Sequence, residues 1–347
     1  MEFQPDFRHI VQAASNKKSE RLPLYEHQIN NEFIEKVIDE PIIFDEKDAS
    51  TMRHAYRQLC AFWKEMTYDT ISFEAGICPM LPDHGAISGG RPGPIQNRED
   101  FARYPFDEIP EIFWDHWTPH LEALKAELPP GMKAIGGCGY GVFEISEDLV
   151  GYEKLCLLMF DDPDLFAELY AKIGDLMMNL WKTLLQKYGD LFAVCRMGDD
   201  LGFKSSTLLA PETIVKYIVP QYRRIIDLVH SYGKKFLFHS CGKVFPIMEA
   251  AIDAGIDAKH SNEDIIAPFE EWIEKYGDRI ALFGGIDMNL LCMEDPKTIH
   301  EYVLEKGKQF RDMASGFAIG SGNSIPDYIP VEGYLAMVDA VNELRKN

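Results

Sequence analysis

The chain has 347 residues, 46% of them hydrophobic and 12% aromatic, enough apolar material for one large α/β domain or two smaller ones. Lys and Arg number 35 against 56 Asp and Glu, a net charge of −21, which argues against nucleic acid as a partner; Asn16-Lys17-Lys18 and Arg223-Arg224 are too short to form a basic patch. No apolar run approaches a membrane span, Met1-Glu2-Phe3-Gln4-Pro5-Asp6 does not read as a signal peptide, and the seven cysteines are scattered without a Cys-x-x-Cys pair; the expectation is a cytoplasmic protein with reduced thiols and no membrane contact.

Short β-rich runs alternate with helical patterns. Strands are expected at 22–27, 70–75, 132–137, 191–197, 235–240, 256–261, 280–286 and 316–320. Between them, helices are expected at 163–188, 211–232 and 296–313, each with proline near its start; the second stops at Gly233. Further helices are expected in the first 70 residues and between Gly76 and Pro130. No low-complexity linker divides the chain. Eight strands alternating with helices predict a (β/α)8 TIM barrel with extra N-terminal helices, one domain over 1–347. The rival, an open doubly wound sheet, wants a glycine-rich phosphate loop after its first strand, and here that strand ends in Glu26-His27.

The run Phe236-Leu237-Phe238-His239-Ser240-Cys241-Gly242 ends in a His and a Cys spaced i, i+2. On a strand these share a face, so imidazole and thiol converge at its C-terminal end, where barrels keep their chemistry. The polar residues expected at the same mouth are Glu26, His27, Glu74, Cys138, Asp199, Asp200, His260, Asp287, Asn323 and Ser324. Each alone reads equally as a cap, a turn or a satisfied core group, and His260 could serve backbone hydrogen bonds only. Together they make a catalytic layout. Tyr25, Phe73, Tyr140, Phe203 and Tyr328 are placed to line a planar pocket or to pack the core. The glycine-rich turn Gly136–Gly141 lacks the nucleotide-loop spacing and the Walker lysine. Gly320-Ser321-Gly322-Asn323-Ser324 has no basic neighbour, so close approach of a ligand to backbone is its expected use.

Five segments at these strand ends resemble the uroporphyrinogen decarboxylase superfamily, particularly its corrinoid-linked methyltransferase branch. They are Arg21-Leu22-Pro23-Leu24-Tyr25-Glu26-His27, Gly198-Asp199-Asp200-Leu201-Gly202-Phe203, His239-Ser240-Cys241-Gly242, Gly284-Gly285-Ile286-Asp287 and Gly320-Ser321-Gly322-Asn323-Ser324-Ile325-Pro326. In that branch a His-x-Cys pair and a later Cys bind zinc. His239 and Cys241 match the pair, whereas Asn323 stands where the later Cys would fall. The resemblance therefore implies zinc on His239 and Cys241 with a substitute third ligand. Glu26 is placed first, ahead of Asp199, with His27, Glu74 and Cys138 as further candidates and Cys292 as an outside one. The decarboxylase branch wants an arginine-bearing segment after the first strand, and Tyr25-Glu26-His27-Gln28-Ile29-Asn30 has no arginine.

The implied activity is methyl transfer between a small donor or acceptor (a methoxylated aromatic, or a methylated amine or thiol) and cobalamin carried by a partner corrinoid protein. This chain has no corrinoid-binding Asp-x-His-x-x-Gly segment of its own. Asp199, Asp200 and Glu26 are expected to do the proton chemistry and positioning; His27, Tyr25, Asn323, Ser324, Tyr328 and Phe203 are expected to contact substrate. The alternatives are a metal-free lyase or decarboxylase acting on a small carboxylate, and a binding protein that kept the barrel without its chemistry.

Overall fold

The computed structural model describes residues 3–89 and 91–346. Seven strands form among them, all parallel and paired in chain order: β1 (Thr70–Gly76), β2 (Lys133–Gly139), β3 (Phe192–Gly198), β4 (Lys235–His239), β5 (Ala258–His260), β6 (Ala281–Ile286) and β7 (Phe317–Ser321). Each matches an expected strand to within about three residues at either end.

The expected first strand, 22–27, does not become a regular strand. It lies beside β7 through a bridge between Leu24 and Ile319, with Tyr25 N donating to the Ile319 carbonyl at 2.9 Å and Ile319 N to the Pro23 carbonyl at 3.0 Å. On its other side side chains do the work of a ladder. Ser72 Oγ on β1 donates to the Glu26 carbonyl, and Arg196 Nη1 on β3 donates to the His27 carbonyl at 2.5 Å. Pro23 has no N–H to offer, and these side chains satisfy the next carbonyls, so the segment fills the eighth position of a TIM-barrel-like α/β fold without regular pairing.

The barrel interior packs Ile135, Val194, Leu237, Ala258, Ala281, Phe283 and Ala318 with Tyr25, and the short helix Arg8–Ala14 plugs the N-terminal end with Ile10, Ala13 and Ala14. Full burial of a side chain such as Ile10 is worth about 1.5–3 kcal/mol. With that end closed, the C-terminal end is the one left open to ligands. Extra helices occur where expected, at Asn31–Ile38 and Ala49–Glu65, then at Arg98–Arg103 and Ile109–Glu127.

Helices Pro163–Tyr188 and Pro296–Met313 start at their prolines, capped by the side chains of Asp162 and Asp295. The helix expected at 211–232 contains a π-turn at Ile214–Ile218 just before Pro220. Proline lacks the N–H and crowds the carbonyl one turn back, and widening that turn relieves both. No helix is long and apolar enough to cross a membrane among the described residues.

Candidate functional site

At the open mouth, β4 ends in His239 and β5 in His260, paired across the sheet. Their Nδ1 atoms stand 2.8 Å apart. The Nε2 of His260 lies 3.0 Å from the Ser321 carbonyl, which can only accept, so His260 carries its proton there. Burial lowers the His260 pKa to about 3, so its Nδ1 is a bare acceptor. It takes the Nδ1 proton of His239, itself kept neutral by burial and by His260. The consequence is specific: the Nε2 lone pair of His239 faces the mouth.

Two groups meet that lone pair, and a third lies over the face of the ring. Cys241 Sγ is 3.4 Å away and Asp200 Oδ1 3.7 Å away, while the imidazole of His27 stacks on His239 at 3.6 Å between centroids and 12° between planes. Asp200 is fixed by the Cys241 N–H, which donates to Oδ1 at 2.8 Å. Burial, then the Asp200 charge, pushes the Cys241 thiol up to about 12. Ser261 Oγ and Asn323 Nδ2 donate toward the same sulfur at 3.6 and 3.5 Å, two hydrogen bonds that a metal-bound thiolate would accept.

This set fits zinc. Ligands about 2.0–2.3 Å from a tetrahedral zinc ion stand about 3.4–3.6 Å from one another. The His239–Cys241 and His239–Asp200 separations are close to such edges, and His239, Cys241 and Asp200 form a group whose ligand atoms all lie within 4.8 Å. His27, His239 and His260 form a second close group, but there both Nδ1 atoms of the His239–His260 pair are spent on each other. His27 Nδ1 is buried with no partner. A third group, Glu46, His116 and His120, includes none of the residues that line the mouth cavity.

The structure does not bring Glu26 to this centre. Its oxygens accept from Ser321 N at 3.0 Å and from Ser321 Oγ, and burial raises its pKa to about 8. Asp199 is likewise occupied: Phe143 N and Glu144 N donate to it at 3.0 and 2.9 Å, and so does Tyr222 Oη, so it caps the helix Val142–Val150. Tyr25 is buried in the barrel with Arg196 Nη1 at 3.3 Å from its hydroxyl. Phe203 and Tyr328 are 61% and 72% exposed, and neither lines the mouth cavity. Asn323 and Ser324 do not line it either; the Asn323 side-chain oxygen Oδ1 takes the Ser324 N–H at 2.8 Å, while Nδ2 turns to Cys241.

Among the other candidate ligands, Cys138 is fully buried on β2 and Cys292 lies on the helix Met288–Met293; neither shares a close group with His239 among the described residues.

The mouth cavity has a volume of about 340 Å³ and is walled by His27, Gln28, Glu74, Trp117, Tyr140, Glu144, Asp200 and His239, among others. No lysine or arginine lines it among the described residues. Arg196 lies deeper, fully buried, paired with Glu74 at 2.9 Å. Glu144 was not an expected site residue. Burial and the nearby charges of Asp199 and Asp200 raise its pKa well above the carboxylate range, so it holds a proton at the mouth. The glycine run before it makes room for its neighbours: a side chain at Gly139 would strike Glu74, and one at Gly141 would strike Asp199. Those glycines make room for carboxylates, not phosphate.

The family model described as Uroporphyrinogen decarboxylase (URO-D) matches residues 91–344. The chain belongs to the uroporphyrinogen decarboxylase family. No curated protein sequence matches it. Among solved structures, a methyltransferase from Methanosarcina mazei is similar over 98% of this chain and 99% of that one, with a TM-score of 0.72 and 14% identity, a likeness of fold. A glycoside hydrolase family 5 enzyme from Prevotella bryantii B14 aligns over 99% of this chain and 100% of that one (TM-score 0.47, 10% identity). D-psicose 3-epimerase aligns over 86% and 92% (TM-score 0.36, 12% identity). At those scores neither likeness bears on this chain. The family membership agrees with the resemblance read from the strand-end segments.

Proposed function

We propose that this member of the uroporphyrinogen decarboxylase family is a zinc-assisted methyltransferase that moves a methyl group between a small substrate and cobalamin carried by a separate corrinoid protein. The observation that carries the reading is the proton relay from His239 through His260 to the Ser321 carbonyl, which leaves Nε2 bare between Cys241 and Asp200 at zinc-like spacing. His239, Cys241 and Asp200 would hold the metal, with Asp200 in the third position rather than Glu26. Bound there, zinc supplies a redox-silent Lewis acid with an open position, suited to polarising a methyl ether or amine or to lowering the pKa of a substrate thiol.

The remaining steps belong to the chain's own side chains. Ser261 and Asn323 hold the Cys241 sulfur with their donated hydrogen bonds. Glu144 keeps a proton at the cavity wall, available to a leaving alkoxide or amine. Glu26 and Asp199 act behind the site, Glu26 by fixing Ser321 and Asp199 by fixing the helix that carries Glu144. With no lysine or arginine lining the cavity among the described residues and the Asp200 side chain beside His239, a polycarboxylate such as a porphyrinogen finds no counter-charge at the wall, which supports methyl transfer over decarboxylation. The seven free cysteines suit a reducing cytoplasm.

The test is metal content followed by turnover. Protein purified without chelator should hold one zinc per chain and lose it on Cys241→Ser. With cob(I)alamin as surrogate acceptor, methoxylated arenes, methylamines and methyl thioethers should be screened for the absorbance change of methylcobalamin formation. No zinc above background in wild-type protein removes the metal assignment. Zinc-loaded protein inert toward every donor, and toward methylcobalamin with thiol acceptors, removes the activity.

A further inference from the structure

The helix Ile109–Glu127 carries His116 and His120, spaced i, i+4 and therefore on one face, a separation at which two imidazoles can share a metal ion. Their ring centroids are 5.2 Å apart. A third donor comes from a different segment. Glu46 lies in the turn before the helix Ala49–Glu65, where Lys47 N donates to Asp45 Oδ1 at 2.9 Å and Asp48 N to the Asp45 carbonyl at 3.0 Å. From there Glu46 Oε1 stands 2.8 Å from His116 Nδ1, while Phe44, two residues earlier, packs its ring 5.5 Å from that of His120. One ligand atom from each of Glu46, His116 and His120 lies within 4.8 Å of the other two.

Ordinary pairing accounts for only part of this. Glu46 with His116 is a surface ion pair of small worth, and Tyr56 Oη, 3.0 Å from His120 Nδ1, makes a buried hydrogen bond. Neither contact requires His120 to stand beside the other two. Two details suit a bound cation. Tyr56 fixes the His120 ring as an outer partner fixes a metal-ligating imidazole. Pro119 has no N–H to give the Asp115 carbonyl, so the helix lacks a bond in the stretch that the two histidines bracket. A cation held by both would close that stretch from outside.

Donor chemistry sets the cation. Two imidazoles and a carboxylate suit zinc and its borderline neighbours cobalt(II) and nickel(II), whereas magnesium and calcium want oxygen donors. The Glu46–His116 contact would open by about 0.6 Å to become a tetrahedral edge. The side chains of Glu46 and His116 are 42% and 27% exposed, so a fourth position faces water and the ion exchanges with solvent during purification.

We propose that Glu46, His116 and His120 form a second zinc-class metal site, which braces the helix Ile109–Glu127 against the segment 44–46. Trp117 sits on the same turn, lines the mouth cavity and donates Nε1 to the Gly76 carbonyl at 3.0 Å, so the brace steadies one wall of the mouth. The site is independent of the metal at His239 and Cys241 and of the methyl-transfer reading.

Cobalt(II) titration of full-length Cys241→Ser protein, whose mouth has lost its thiolate, tests it. One cobalt per chain should bind with visible d–d bands and no near-ultraviolet thiolate band; zinc should displace it, and magnesium in about thousandfold excess should not. His116→Ala should weaken cobalt at least about tenfold, since loss of an outer partner alone costs that much. Glu46→Gln, on an exposed turn, reads the same way if His116→Ala fails to fold. Absence of cobalt binding overturns the site, and so does unchanged affinity in a folded variant. Displacement by magnesium overturns it too, assigning the ion to surface carboxylates of this acidic chain. Cobalt bound through His116 in a protein inert toward every methyl donor keeps this site and removes the methyltransferase. Methyl transfer by wild-type protein that takes up no second metal removes this site and keeps the methyltransferase.

Discussion

Replacing His260 with alanine separates the relay from mere packing. In the native protein His260 accepts from His239 Nδ1 at 2.8 Å and donates to the Ser321 carbonyl at 3.0 Å, all of it buried. Alanine leaves a buried N–H and a buried carbonyl without that partner, each costing about 1–3 kcal/mol, so stability should fall by about 2–6 kcal/mol. The effect on metal is distinct. Without an acceptor at Nδ1, His239 is free to carry its proton on Nε2, the atom facing Cys241 and Asp200. Loss of such an outer partner lowers metal affinity about 10–100-fold. Asparagine at 260 restores an acceptor near the position of Nδ1, and zinc affinity should return to within about threefold of wild type if the acceptor is what matters. Competition with a chromophoric chelator at pH 7 reads the affinity, and guanidinium unfolding reads the stability. A folded His260→Ala protein that binds zinc as tightly as wild type refutes the relay. Equal losses in the Ala and Asn variants refute the acceptor as its working part.

Zinc affinity should rise with pH, by about tenfold per unit near neutrality, because the Cys241 thiol lies near 12 in the metal-free protein and must give up its proton to bind. His239 is already neutral, so calorimetry in buffers of differing ionisation enthalpy should count about one proton released per zinc, and a count of two would contradict the tautomer assignment. Glu26→Gln should keep full zinc occupancy, since Ser321 rather than the metal centre takes its oxygens. The raised folded-state pKa of Glu26, about 8, means its contribution is present at low pH and is lost as pH rises through that value. Glu26→Gln should therefore stabilise the protein by about 1–3 kcal/mol at pH 8.5 and flatten the stability profile between pH 5 and 8; a zinc-free or pH-insensitive outcome for both proteins would contradict this. Asn323→Cys should tighten zinc binding at least about tenfold, because the Asn323 amide lies 3.5 Å from Cys241 Sγ, a tetrahedral edge, and a thiolate is a far better donor than an amide. Unchanged affinity in that variant would show that the turn after β7 does not reach the metal.

The barrel and the His239–Cys241 pair were legible in the sequence because both rest on local geometry. Alternating strand and helix patterns mark βα units wherever they occur, and i, i+2 on any strand puts two side chains on one face. The same locality explains the miss at 22–27. A β-like run can be recognised, but whether its carbonyls meet a ladder or the side chains of Ser72 and Arg196 depends on residues 46 and 169 positions away. Asp199 and Asp200 are adjacent in sequence and indistinguishable there. Only the packed chain sends Asp199 into the helix cap at Phe143 and Glu144 and leaves Asp200 beside His239. Glu26 ended the first predicted strand beside the eighth, as expected, and Ser321 took its oxygens before any metal ligand set included it. Composition showed an acidic, aromatic-rich chain, but not that Phe44, Tyr56, Phe73 and Trp117 with His120, from four separate segments, would pack together beside the mouth. Sequence determines which way each side chain leaves its own strand or helix; which partners it meets there is a long-range contact, and that is decided by the closure of the barrel.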